Sequence, residues 1–109
     1  MFALTGNAPL TEGVYYILLS LFSPLHGYGI MQKVEELSAG RVRLAAGTLY
    51  GAINTMLEKG WIRALPGDEG GRKKEYMITP SGKGIAEGEL ARLKELVING
   101  EIIIRGRGN

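Results

Sequence analysis

The chain contains no cysteine. That excludes disulfides, thiolate metal sites and cysteine nucleophiles, and it fits a reducing, cytoplasmic setting. A single histidine, His26, is present, so neither a histidine metal cluster nor a Ser-His-Asp triad has the material to form. With no second ligand type beside it, His26 reads as a turn residue. The glycine-rich stretch 67–71 lacks the Gly-Lys-Ser/Thr ending of a phosphate-cradling loop. No acid–base pair or nucleophile motif stands elsewhere, so the expectation is a non-enzyme without cofactor or metal. The apolar run from Val14 to Phe22 is too short to cross a bilayer. It is preceded by Glu12 and by no lysine or arginine, unlike a signal peptide. A soluble, non-exported chain with no membrane partner is expected.

The residues present fit one small domain. The 109 residues are 45% hydrophobic and 22% charged, enough for one modest core. The net charge of +2 is unevenly spread. Residues 1–40 hold one base and three acids, a net of −2. Residues 41–83 hold eight bases and four acids, a net of +4, and residues 84–109 hold four of each. The positive excess therefore falls on one middle segment, as phosphate contact would require.

That segment contains the clearest helix, Ala45 to Gly60. Leu49, Ala52, Ile53, Met56 and Leu57 fall on one stripe at helical period, and Gly60 suits a C-terminal cap. The opposite face carries Tyr50, Gly51, Asn54 and Thr55 and no charge. Such a face can approach base edges in a DNA major groove, where asparagine pairs with adenine through two hydrogen bonds. The helix alone does not separate this reading from plain solvent exposure. The next residues shift the balance toward DNA. Trp61 to Leu65 is a strand candidate, Pro66, Gly67, Gly70 and Gly71 mark a turn, and Arg72, Lys73 and Lys74 begin a second strand ending in Tyr76, Met77 and Ile78. A helix succeeded by a hairpin with a basic, glycine-rich tip is the layout of a winged helix, whose hairpin touches the flanking DNA backbone.

Upstream, Thr11 is a candidate N-cap, with Glu12 in the first turn. Val14, Ile17, Leu18, Leu21 and Phe22 come next at helical spacing, and Tyr15, Tyr16 and Leu19 widen the apolar surface. This is either the central core helix or one that also meets a second subunit. Residues 23–27 break it, and a second helix spans Tyr28 to Ser38 with Ile30, Val34 and Leu37 inward. Arg41 to Leu44 alternates charged and apolar residues and predicts a short third strand. It would place Arg41 and Arg43 on one face near the start of the reading helix, for phosphate or solvent. Thr79-Pro80 opens a last helix that Asn99-Gly100 should stop. Along it Ala86, Leu90, Leu93, Val97 and Gly100 make a heptad-like seam suited to helix–helix packing. Its glycines 82, 84 and 88 either permit close packing or mark a loosely held segment. Residues 101–109 extend the seam, add a strand or stay unordered; the sequence does not choose. The fold class read from these elements is mainly α with a small β-hairpin: a winged helix-turn-helix over residues 1–79 and a dimerisation helix with its tail over 80–109.

Five stretches together resemble the PadR-type transcriptional regulators. They are Leu25-His26-Gly27-Tyr28-Gly29-Ile30, Gly47-Thr48-Leu49-Tyr50, Leu57-Glu58-Lys59-Gly60-Trp61-Ile62, Gly70-Gly71-Arg72-Lys73-Lys74-Glu75-Tyr76 and Ile78-Thr79-Pro80-Ser81-Gly82. The likeness covers roughly residues 10 to 98 and points to the short subgroup with a single C-terminal helix. It implies a homodimeric repressor on inverted-repeat double-stranded DNA. The expected DNA-contacting set is Thr48, Tyr50, Gly51, Asn54 and Thr55 at the bases, with Arg41, Arg43, Arg72, Lys73 and Lys74 at phosphates. The expected dimer seam, and a site between subunits for a small aromatic or hydrophobic effector, uses Tyr15, Leu19, Leu90, Leu93 and Val97. In short members that bind flat aromatic drugs, a tryptophan of the last helix stacks on the drug. Here Leu93 stands at that register, and the one tryptophan is Trp61. The alternative is a winged-helix module for protein contact that binds no DNA.

Overall fold

In the computed structural model, which describes residues 8–66 and 74–106, three helices begin at a side chain that takes up a free amide. Thr11 Oγ1 accepts from the Val14 N–H at 3.1 Å and opens α1 (Glu12–Ser20). His26 Nδ1 accepts from the Gly29 N–H at 3.1 Å and opens α2 (Gly27–Leu37), which is its role in this fold. Thr79 Oγ1 accepts from the Gly82 N–H at 3.0 Å, with Pro80 at the first position of α4 (Pro80–Arg105). The remaining helix, α3 (Ala46–Glu58), starts after Ala45, which offers no side-chain acceptor.

One stripe from each of the first three helices converges with the sheet. Ile17, Leu18 and Leu21 meet Ile30 and Val34, then Leu49, Ile53 and Met56, over Ile62, Tyr76 and Ile78. The periodicity of α1 and α2 overreaches at one residue each. Phe22 is 46% exposed beneath the Lys83 ammonium, and Leu37 is 43% exposed. Phe22 lies past the last residue of α1, and Leu37 is the last residue of α2.

The sheet has three antiparallel strands in the order β1 (Leu25–His26), β3 (Glu75–Ile78), β2 (Ile62–Ala64). Ile62 pairs with Ile78 and Ala64 with Tyr76, while Leu25 pairs with Tyr76 and His26 with Glu75 across the other edge. The third strand is thus not Arg41–Leu44, as alternation predicts. That segment is tied to the end of α2 instead: the Arg41 N–H donates to Ser38 O at 3.1 Å and the Val42 N–H to Ser38 Oγ at 2.9 Å. Val42 and Leu44 still turn inward onto the core and the arginines outward, so the alternation reports burial without a ladder. Strand pairing went to the turn residues Leu25–His26 because they arrive beside β3.

A second correction concerns α4. Asn99-Gly100 does not stop it; the helix runs 26 residues to Arg105, and Gly106, at φ 67°, caps it. An internal glycine costs only about 1 kcal/mol, less than the hydrogen bonds the next turn adds. Glu101 to Arg105 are therefore helix, and residues 107–109 lie outside the described residues.

Where α4 crosses α1 it carries a carboxylate inward. Glu89 is 3% exposed, receives Arg92 Nε at 3.0 Å and Nη2 at 2.6 Å, and accepts from the Leu10 N–H at 3.4 Å. The Arg92 hydrogen bonds hold its carboxyl below the usual carboxylate range, against the upward push of burial. A carboxylate depressed in the folded state adds stability that is complete above its unfolded value of about 4.3 and is lost as pH falls through the folded value. Wild-type melting temperature should therefore drop on acidification below about pH 5, and Glu89→Gln should flatten that dependence while lowering Tm near neutrality. Circular-dichroism melts across this range test it; an unchanged pH profile in the variant would remove Glu89 from the account.

Candidate nucleic-acid interface

The outer face of α3 differs from an ordinary solvated helix face. Thr48, Gly51, Asn54 and Thr55 are all exposed while Leu49, Ile53 and Met56, between them in sequence, are buried. A Cβ at Gly47 or Gly51 would meet nothing within 4 Å, so the backbone there is open to a closely approaching surface. The Thr55 hydroxyl donates to Gly51 O at 3.2 Å. That fixes its proton and leaves its lone pairs outward as acceptors. No acid occupies the first turn of α3, and without a cap its leading amides remain available to an anion.

Tyr50 is placed differently from its neighbours. It is 46% exposed, yet its hydroxyl lies where a Cβ on Gly27 would be, 2.1 Å away. The ring is a brace from α3 to the start of α2, with one face open. Tyr76 lies in the same corner, and burial first, then Tyr50, raises its pKa. A side chain at Gly27 would have to push the Tyr50 ring aside. Sequence reasoning passed over this glycine as a helix breaker, since its partner is 23 residues away.

The flanking cations divide. Arg41 lies on Glu12 in a two-pronged ion pair, Nη1 to Oε1 at 3.0 Å and Nη2 to Oε2, which lowers the Glu12 pKa and raises that of Arg41. Arg43 Nε is 3.4 Å from Glu35 Oε2. Both side chains are more than half exposed, so a phosphate competes for them with a carboxylate in hand. Lys74 is exposed just ahead of β3, whereas Arg72 and Lys73 fall outside the described residues. Two exposed residues on elements that adjoin α3 are absent from the expected DNA-contacting set: Tyr28 on the first turn of α2, 64% exposed, and Arg63 on β2.

The second set of expected residues lies along α4 and α1. Leu90, Leu96, Val97, Ile98, Ile103 and Ile104 are 45% to 82% exposed, an apolar surface too large for a single solvated helix. Leu93 borders two hollows. One, about 360 Å³, lies along α4 among Leu90, Leu93, Lys94, Val97 and Ile98. The other, about 320 Å³, lies between α1 and α4 among Leu10, Glu12, Tyr15, Tyr16, Glu89, Arg92 and Leu93. Leu19 is half-buried and lines neither.

Two packed helices, the second with an open polar face, beside a small antiparallel sheet and hairpin form a winged helix-turn-helix, the architecture of DNA-binding transcriptional regulators. Residues 15–87 match the Transcriptional regulator PadR-like family, and the chain belongs to that family, whose members are regulators and not enzymes. Over 82 residues, 72% of this chain, it is 37% identical to an uncharacterized 37.1 kDa protein in transposon TN4556 of Streptomyces fradiae. It spans only 23% of that relative's length. Among solved structures, a PadR family transcription regulator from Clostridium difficile superposes with a TM-score of 0.69 at 23% identity, covering 85% of this chain and 97% of the other. Bacillus subtilis PadR in complex with operator DNA superposes at 0.64 with 25% identity, covering 77% of this chain and 49% of the other. Among the described residues no helix is long and apolar enough to cross a membrane, and no cluster of metal-ligating side chains occurs.

Proposed function

We propose that the protein is a homodimeric repressor that places its two α3 helices in successive major grooves of an inverted-repeat operator. The observation that carries this reading is the uncharged, uncapped outer face of α3, with Thr48, Gly51, Asn54 and Thr55 open beside the hairpin. Asn54 reads a base, Thr48, Gly51 and Thr55 allow and support the close approach, and Tyr50 braces the helix while offering one ring face. Lys74 and the adjoining Arg72 and Lys73 contact flanking phosphates. Arg41 and Arg43 join them by exchanging a carboxylate for a phosphate. Residues 1–79 then face DNA, and 80–109 hold the partner subunit through Leu90, Leu93 and Val97. The operator-bound structure of the Bacillus subtilis relative supports DNA as the partner, as does the shared family.

The hollow between α1 and α4, where Leu10, Tyr15, Tyr16 and Leu93 stand beside Glu12, Glu89 and Arg92, supports a small effector that binds at the subunit boundary next to Tyr15, away from Leu19, and changes the spacing of the reading helices. A ligand there would be gripped by aliphatic contact and by the Tyr15 ring, with no tryptophan at position 93 to stack on it.

Selection of bound sequences from random DNA defines the operator and tests the reading as a whole. On that operator Asn54→Ala should lose ~1–3 kcal/mol of affinity, with little change on unrelated DNA. Equal losses on both would take Asn54 out of base readout, and failure to enrich any sequence would overturn the regulator reading.

A further inference from the structure

The end of the reading helix and the start of α4 are locked to each other by backbone contacts. At the end of α3, Gly60 turns at φ 77° and the Trp61 N–H donates to Met56 O at 3.0 Å. The next two links run to α4. The Thr79 N–H donates to Trp61 O at 2.9 Å, and the Thr79 hydroxyl donates to Gly60 O at 2.6 Å. The same hydroxyl oxygen accepts from the Gly82 N–H, so one atom ties the cap of α3 to the first turn of α4. The fit is close. A Cβ on Gly82 would stand 2.1 Å from Trp61 O and 2.7 Å from Ile78 Cγ1. Two of the three atoms nearest that position belong to the Trp61 backbone, which cannot swing aside as the end of a side chain can.

We propose that Thr79 and Gly82 are positioning residues that fix the angle between α3 and α4, and thereby the half-site spacing that the dimer accepts on DNA. This rests on the dimeric reading above. If the subunits are held together along α4 around Leu93, the two reading helices are set apart by whatever angle this joint imposes. Leu93 lies 11 residues beyond Gly82, a lever of roughly 17 Å at 1.5 Å per residue. A tilt of about ten degrees over that lever moves its end by roughly 3 Å, close to the ~3.4 Å rise of one base pair. A lost hydroxyl or an added methyl group at this joint thus shifts the reading helices by a distance comparable to the rise of one base pair, enough to change how well the dimer fits operators of different spacing. Gly84 supplies the matched control. It sits in the same turn of α4, and a Cβ there would meet nothing within 4 Å.

The test measures binding of the full chain to a set of inverted repeats, built from the half-site selected by the wild type, with spacers lengthened and shortened one base pair at a time. Thr79→Val and Gly82→Ala should remain folded dimers by circular dichroism and sedimentation. Each should move the spacing optimum by a base pair or flatten the wild-type preference about tenfold. Thr79→Ser, which keeps the hydroxyl, and Gly84→Ala should keep the wild-type optimum. If Gly82→Ala does not fold, Thr79→Val against Thr79→Ser carries the comparison, because valine preserves the shape. Folded, dimeric Thr79→Val with an unchanged optimum overturns the proposal. A dimeric wild type that binds DNA without any spacing preference overturns it too, and leaves the dimeric reading standing. A wild type that binds as a monomer overturns both.

Discussion

Leu93→Asp is expected to turn the dimer into monomers at micromolar concentration and to abolish operator binding. Leu93 belongs to no part of the buried core, so the variant should fold. It does border both hollows on α4, and its neighbours Leu90 and Val97 are 45% and 60% exposed in the single chain. A carboxylate buried there without a partner costs several kcal/mol, because the lost hydration is not replaced. A monomer reads one half-site and forfeits the linked second contact, whose effective concentration supplies most of the affinity of a two-site reader. Sedimentation velocity and a gel shift on the same preparation measure both effects. A wild type that sediments as a monomer would remove the dimer, and with it the effector site between subunits.

Ile53→Ala should cost ~2–5 kcal/mol of folding free energy, the range for truncating a buried aliphatic side chain that leaves a cavity. Ile53 is 1% exposed at the centre of α3, packed within the cluster that joins α1, α2 and the sheet. A small domain has about 5–15 kcal/mol in total, so this single change removes a large part of the fold's stability. The next residue behaves oppositely. Asn54 points the other way, is exposed, and its loss should leave the melt almost untouched while specific binding weakens. Denaturant titration of both variants separates the two faces of α3. Comparable destabilisation by Asn54→Ala would mean that this face also serves the core.

Much of the architecture is local and therefore written in short stretches of sequence. Thr11 and Thr79-Pro80 start helices because a hydroxyl and a proline ring act within one turn. Gly60 ends α3 at positive φ for the same reason. The stripe of Leu49, Ile53 and Met56 needs only helical period to declare its buried face, and the faces it leaves free are fixed at once. The motifs that resemble the PadR-type regulators are likewise short and contiguous.

The features left open by the sequence depend on partners far away along the chain. Alternation at Arg41–Leu44 correctly marks which residues turn inward, but a strand needs a neighbour, and β3 met Leu25–His26 instead. The charges of Arg41 and Arg43 were visible; that Glu12 and Glu35 hold them was not, because those carboxylates are 29 and 8 residues away. Glycines look alike in a sequence. Gly82 stands against a carbonyl and Gly84 against open space, a distinction made only by the approach of α3 to α4. The chain by itself therefore determined the starts of α1 and α4, the end of α3 and the polar outer face of α3, through contacts within a turn or two, but not the length of α4 or the capping role of His26. Tertiary structure alone decided the strand pairing, the ion pairs and the angle at which that face is presented, because each is a contact between segments that only folding brings together.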